Sequence, residues 1–216
     1  MALLIEHESS LIQGLEFILS HFNEPVWPRT ISTKTTQGKQ ISVNSKEEVI
    51  ARFNQANGLD CRIAAYPVYH PSYIKSTGIS PDFLFIDLDL GQFESADSDS
   101  ANWQNSANSK SKLDRCLKKT LNNIQTRFND RNLQPTVIWS GNGYHIYLPV
   151  EGFVLESQDV FAEYISTREC SRKFLQFAER FLSDDKADVC HWKGVSFKNC
   201  MLRVPGSINS KNNARV

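Results

Sequence analysis

The chain has no apolar run near the roughly 20 residues that a membrane-spanning helix needs, so it carries no segment of that kind. Its first residues, MALLIEHE, lack a basic n-region, and Glu6 breaks their short apolar patch. That pattern is not a secretory signal. The chain is expected to be cytoplasmic, with no membrane partner. No C-x-x-C pair occurs among the five cysteines, Cys61, Cys116, Cys170, Cys190 and Cys200. Scattered and odd in number, they argue against a disulfide framework and for reduced, structural thiols. Net charge is also missing: 24 basic residues balance 24 acidic ones. A neutral chain is a poor first candidate for a nucleic-acid partner.

Local absences of charge change that picture. From Ser76 to Ser109 there is no Lys or Arg, while Asp82, Asp87, Asp89, Glu94, Asp97 and Asp99 are acidic. From Val189 to Val216 there is no Asp or Glu, while Lys193, Lys198, Arg203, Lys211 and Arg215 are basic. Lys110–Arg127 is a second basic stretch. Such runs are often plain solvated faces. Segregated this way, they also permit an acidic metal site beside a phosphate-facing surface.

What is present reads as an α+β chain. Apolar spacing predicts a helix over about residues 10–22, with Leu11, Leu15, Ile18 and Phe22 on one stripe. Ile31–Val43 reads as a hairpin around Gln37-Gly38, Lys46–Ala56 as a helix capped by Asn44 or Ser45, and Cys61–Tyr69 as a strand. Residues 1–80 thus form an αββαβ module without visible chemistry. Residues 81–216 follow with the strand Pro81–Leu90, a long polar loop Gly91–Lys112 and a helix Leu113–Phe128. Strands Thr136–Trp139 and Tyr144–Val150 flank a tight Ser140–Gly143 turn. A helical region, Asp159–Leu182, is expected to bury Phe174, Phe177, Ala178 and Phe181, before strands Lys186–Trp192 and Asn199–Val204. The order β-α-β-β-α-β is that of an RRM-like, ferredoxin-like split βαβ unit. The two modules are expected to pack as one compact unit. In that order the strands at 81–90, 144–150 and 186–192 are neighbours, so their side chains meet on one face.

The central strand, PDFLFIDLDL, alternates Leu84, Ile86 and Leu88 against Phe83, Phe85, Asp87 and Asp89. Two carboxylates on an apolar strand are costly unless a cation offsets them. Mg2+ fits, because it takes carboxylate oxygen and keeps positions for substrate phosphates. Alone, D-x-D is a common strand end. The SGNGYHIYLP stretch adds Ser140, Asn142, Gly143 and His145, a turn and imidazole suited to phosphate oxygens; a lone histidine there also suits a core position. Asp188, with Asp184 and Asp185 as competitors, is a candidate third carboxylate for a two-metal site. LRVPGSINSK supplies Arg203, Ser207, Asn209 and Lys211 around Pro205-Gly206, where cations and backbone amides can hold phosphate. Cys190 and His191 are adjacent and would point to opposite strand faces, which speaks against zinc. Tyr66, Tyr147 and Trp192 suit core packing better than stacking on bases.

As a set, FIDLDL, SGNGYHIYLP, Asp188 and LRVPGSINSK resemble the archaeo-eukaryotic primase superfamily, especially its plasmid- and virus-type primase–polymerases. The match covers roughly residues 81–211, and residues 1–80 fit that family's αβ half by pattern only. The resemblance implies a DNA primase or polymerase of plasmid-type replication. A 3′-OH would attack the α-phosphate of an incoming NTP or dNTP on a single-stranded or primed DNA template, releasing pyrophosphate. Asp87, Asp89 and Asp188 would bind two Mg2+ or Mn2+ ions. Ser140, Asn142, Gly143, His145, Arg203, Ser207, Asn209 and Lys211 would contact the nucleotide. A helicase or accessory helical domain would adjoin it in a longer protein. The alternatives are a non-catalytic single-strand-binding RRM-like domain, which the charged face of the central strand disfavours, a metal-dependent initiator nuclease, or an inactive scaffold.

Overall fold

Arg29 stitches the molecule together. It begins β1 (Arg29–Ser32), is fully buried, and lies over the Phe22 ring, 3.3 Å from its centroid. Its guanidinium donates to the carbonyls of Val26 (2.9 Å), Ala64 (3.1 Å) and Ala65 (2.9 Å), and to Asp82 Oδ2 (3.3 Å). A buried charge persists only when paired and hydrogen-bonded in this way. The pair ties one sheet to the residue that leads into the Phe83–Asp89 strand of the other.

The structure is a computed structural model that describes residues 2–23, 26–66, 82–93, 103–130, 133–150, 170–184 and 200–216. The chain is α+β. The helix α1 (Ala2–Leu19) starts earlier than the apolar stripe predicts, because Ala, Leu and Glu extend a helix at little cost. Then come β1, β2 (Ile41–Val43), α2 (Lys46–Gln55) and β3 (Arg62–Ala64). The Ser45 hydroxyl accepts the Glu48 amide at 3.3 Å, the expected N-cap. The strand that carries Asp87 and Asp89 is β4 (Phe83–Asp89), followed by a single 3-10 turn. Next are α3 (Trp103–Phe128), β5 (Thr136–Trp139), β6 (Gly143–Pro149) and α4 (Cys170–Ser183). The chain closes with β7 (Met201–Arg203), β8 (Ile208–Asn209) and β9 (Ala214–Arg215).

Two antiparallel sheets carry the core. One has the order β2-β1-β3-β7 and the other β4-β6-β5; β8 and β9 form a separate hairpin. One continuous buried cluster joins both sheets and the helices. The order β4-β6-β5 agrees with three of the expected neighbours; the fourth strand, Lys186–Trp192, lies outside the described residues. So do residues 159–169 of the expected helical region.

Three expectations are corrected. Met201–Arg203, expected as part of the C-terminal module, adds to β3, crossing the 80/81 division. The free edge of β3 accepts it, and Leu202 is buried beside Ile63. The helix expected from Leu113 begins at Trp103, because once nucleated a helix runs on through polar residues at small cost. On α4 the described buried apolar residues are Leu175, Leu182 and the expected Ala178, which pack toward β4 and α3; the Phe174 side chain lies outside the described residues. Phe177 and Phe181 are exposed and stack on each other at 5.3 Å. Two apolar stripes compete on that helix, and contact with the sheet selects one.

Cys61, Cys116 and Cys200 are buried and in no disulfide among the described residues, and burial pushes the Cys61 thiol up to about 12. Tyr66 and Tyr147 sit in the core. Among the described residues no helix is long and apolar enough to cross a membrane.

Candidate functional site

The alternation of β4 delivers its carboxylates to one place. Its other side chains are buried, while the Asp87 side chain keeps 19% exposure. Across the ladder, Asp87 stands opposite His145 and Asp89 opposite Gly143. A Cβ on Gly143 would lie 2.1 Å from the Leu88 carbonyl oxygen, so only glycine lets β6 come this close. Gly141 takes φ +85, which closes the turn; the Ser140 amide donates to the Gly143 carbonyl at 2.9 Å.

The turn then fixes Asp89. Its Oδ1 accepts the Gly91 amide (2.7 Å) and Asn142 Nδ2 (2.9 Å), so among the described residues Oδ2 keeps its lone pairs. His145 Nε2 lies 3.7 Å from Asp87 Oδ1, too long for a hydrogen bond but close enough for attraction when the imidazole is charged. The His145 ring meets Phe85 edge-on at 4.9 Å and is nearly buried. On the opposite face, Tyr144 donates to Asp114 at 2.8 Å and locks α3 to β6. Burial, reinforced by that hydrogen bond, pushes its phenol up to about 12, so it remains a donor.

The two sheets enclose a cleft of about 240 Å³. One wall holds Asp87, Asp89, Ser140, Asn142 and His145. The facing wall holds Arg62, Met201 and Arg203 from the other sheet, with Asn209 and Lys211 from the β8 end. The cleft therefore gathers eight residues expected from the sequence. Asn209 is buried; its Oδ1 accepts the Lys211 amide (3.2 Å), and its Nδ2 has no partner among the described residues.

Two expected residues lie elsewhere. Gly143 is enclosed in the ladder and acts by letting the strands approach. Ser207 is fully buried and does not line the cleft. The Gly206 amide donates to Val216 O and the Ser207 amide to Val204 O, both at 3.0 Å. Those amides close the turn, so they are not offered to a phosphate. Asp188 lies outside the described residues, as do Asp185, Cys190, His191 and Trp192. Asp184 binds Lys119 (2.7 Å) and Arg127 (2.9 Å) and does not line the cleft.

Arg62 and Asp60 escaped sequence reasoning. Arg62 is register-paired with Arg203 across β3 and β7, so two guanidiniums share one sheet face. Its Nε is buried without a partner among the described residues. Burial, and then Arg203, make its charged form less favourable than usual, against the pull of Asp60 and Asp87. One signal was available: Arg62 is a charge in the apolar run CRIAAY, the same anomaly that marked β4.

Among the described residues no group of three or more His, Cys, Asp or Glu side chains is arranged to hold a metal. The two β4 carboxylates still fit a hard divalent ion. Mg2+ is commonly held by one or two carboxylates plus water and substrate phosphate, and among the described residues Asp89 keeps an uncommitted oxygen. No family model, curated protein or solved structure matches this chain.

Proposed function

We propose that this chain is the catalytic core of a template-directed nucleotidyltransferase of the primase–polymerase type, built on an RRM-like half. The observation that carries the reading is the opposition of charge across one cleft. Asp87 and Asp89, with Ser140 and His145 on the same wall, face Arg62, Arg203 and Lys211. A triphosphate bridged to a divalent cation has that same distribution, anionic on one side and cationic on the other.

Asp87 and Asp89, with Asp188 as the proposed third ligand, would hold Mg2+ or Mn2+. When bound, the metal supplies activation of a 3′-OH and stabilisation of leaving pyrophosphate. The remaining roles belong to the chain itself. Arg62 and Arg203 receive phosphate oxygens through planar forks, and Lys211 adds a point charge. Ser140 and His145 donate from the turn side. Asn142 holds Asp89 so that its second oxygen serves the cation. Developing charge on the transferred phosphoryl group then meets donors already in position. The partners are a single-stranded or primed DNA template and NTPs or dNTPs.

The test is nucleotide incorporation on primed and unprimed DNA with Mg2+ or Mn2+. Wild type runs beside Asp87→Ala combined with Asp89→Ala. Metal-dependent product is expected, with a loss on the order of 10³-fold or more in the variant. The unprimed lane separates primase from extender. Absence of both product and nucleotide binding would overturn the reading and favour a plain binding module.

A further inference from the structure

Asp60 precedes β3 in the left-handed region, at φ +51. Its amide donates to the Ile208 carbonyl at 2.9 Å. Its carboxylate gathers three donors from the C-terminal segment. Oδ1 accepts Arg203 Nη1 (3.2 Å) and the Ser210 amide (3.0 Å), and Oδ2 accepts the Ser210 hydroxyl. The Arg203 side chain is 9% exposed and that of Asp60 18%. Ser210 sits between Asn209 and Lys211, both of which line the cleft. One carboxylate thus touches the arginine of the basic wall and the turn that carries its lysine.

The arrangement answers a physical problem. Arg62 and Arg203 are ladder partners, and like charges side by side repel. Arg203 needs a fixed counter-charge on the side away from the cleft, or it splays. Asp60 occupies a single Nη1, and no other hydrogen bond to Arg203 exists among the described residues. A guanidinium carries five donors, so most remain for a ligand. Asp60 also lines a second hollow, beside the Thr33–Gly38 turn. Arg203 is therefore gripped from behind and open in front.

We propose that Asp60 is a positioning residue. It presets Arg203 and, through Ser210, the Asn209–Lys211 turn to receive the phosphate chain of the nucleotide. This rests on the nucleotide-site reading above and deepens it. A mere counter-ion would act in the opposite direction: removing its negative charge would strengthen anion binding.

The experiment uses inorganic tripolyphosphate as the probe, titrated calorimetrically into the full chain without metal. Wild type, Asp60→Asn, Arg203→Ala and the double variant are compared, with thermal melts to confirm folding. Asp60→Asn keeps the shape and an acceptor oxygen and removes the charge. It is expected to weaken binding roughly fivefold to tenfold, the scale of one ordinary net hydrogen bond. In the Arg203→Ala background the same change is expected to matter less than about twofold, because its target is gone. Ser210→Ala, which removes only the hydroxyl contact, is expected to lose less than Asp60→Asn. Tighter binding by Asp60→Asn, or an undiminished loss in the double variant, would overturn the positioning role and leave the nucleotide site standing. Failure of wild type to bind tripolyphosphate at all would overturn both.

Discussion

The two walls of the cleft carry opposite charge and are assembled by opposite means. The acidic wall is local. Asp87 and Asp89 are two residues apart on β4, and the neighbouring β6 delivers His145 by direct register. The basic wall is long-range. Arg62 comes from β3, Arg203 from β7, and Lys211 from the turn after β8. It exists only after the C-terminal segment has docked on the N-terminal sheet. The acidic wall needs one ladder, whereas the basic wall needs the whole fold. Perturbing the join between the sheets should damage phosphate recognition before it damages the carboxylate pair.

The harshest way to test that difference is to cut the join. Arg29→Ala removes a fully buried guanidinium and leaves Asp82 and three carbonyls without it. Breaking such a pair costs about 3–5 kcal/mol. The urea midpoint is expected to fall accordingly. Tripolyphosphate affinity should collapse at temperatures where the protein is still folded, while Mn2+ binding at β4 persists. Equal loss of both would mean that the walls are not independently built.

That asymmetry also explains what could be read from the sequence. The β4 alternation, the Ser140–Gly143 turn and the helical stripe of α1 are local patterns, and each lies where periodicity puts it. Asp87, Asp89, Ser140, Asn142 and His145 reach one cleft wall because local spacing and one strand pairing suffice. Arg203, Asn209 and Lys211 were legible as residue types, though not their partners. Arg62 showed only as a charge in an apolar run and Asp60 not at all, because their roles arise when β7 pairs with β3, and strand order alone does not specify that pairing. Ser207 lies outside the cleft for a related reason: its amide closes its own turn.

A milder break removes one charge from the basic wall. Arg62→Ala is expected to weaken tripolyphosphate binding about tenfold, near 1.4 kcal/mol. Arg62→Lys should recover only part, since an ammonium lacks the planar fork. Arg62 also attracts Asp87 across the cleft. Its removal should therefore tighten Mn2+ binding severalfold, on the scale of one partly screened charge. Calorimetry with each ligand reads both effects. Movement of both affinities in one direction would show that Arg62 acts through folding rather than through charge.

The smallest effect comes from protons. Burial alone would raise the Asp60 carboxyl, but the hydrogen bonds from Ser210 and then the Arg203 charge outweigh it and hold it below 3.8. A depressed folded value means that the folded state favours the ionised form. The contribution is therefore complete above the unfolded value and is lost as pH falls through the folded one. The latch should be intact at pH 6, begin to weaken near pH 4 and be absent once Asp60 is protonated. Its share is about 1 kcal/mol at most, given its partial contact with solvent. Asp184 is depressed in the same sense by Lys119, so acid sensitivity of the wild type alone does not isolate Asp60. The difference in urea midpoint between wild type and Asp60→Asn does. It should be constant above pH 5 and shrink toward zero below pH 4. A difference that stays constant to pH 3 would mean that the Asp60 charge contributes nothing to holding β7 and its turn against β3, leaving only shape and neutral hydrogen bonds at that end of the basic wall.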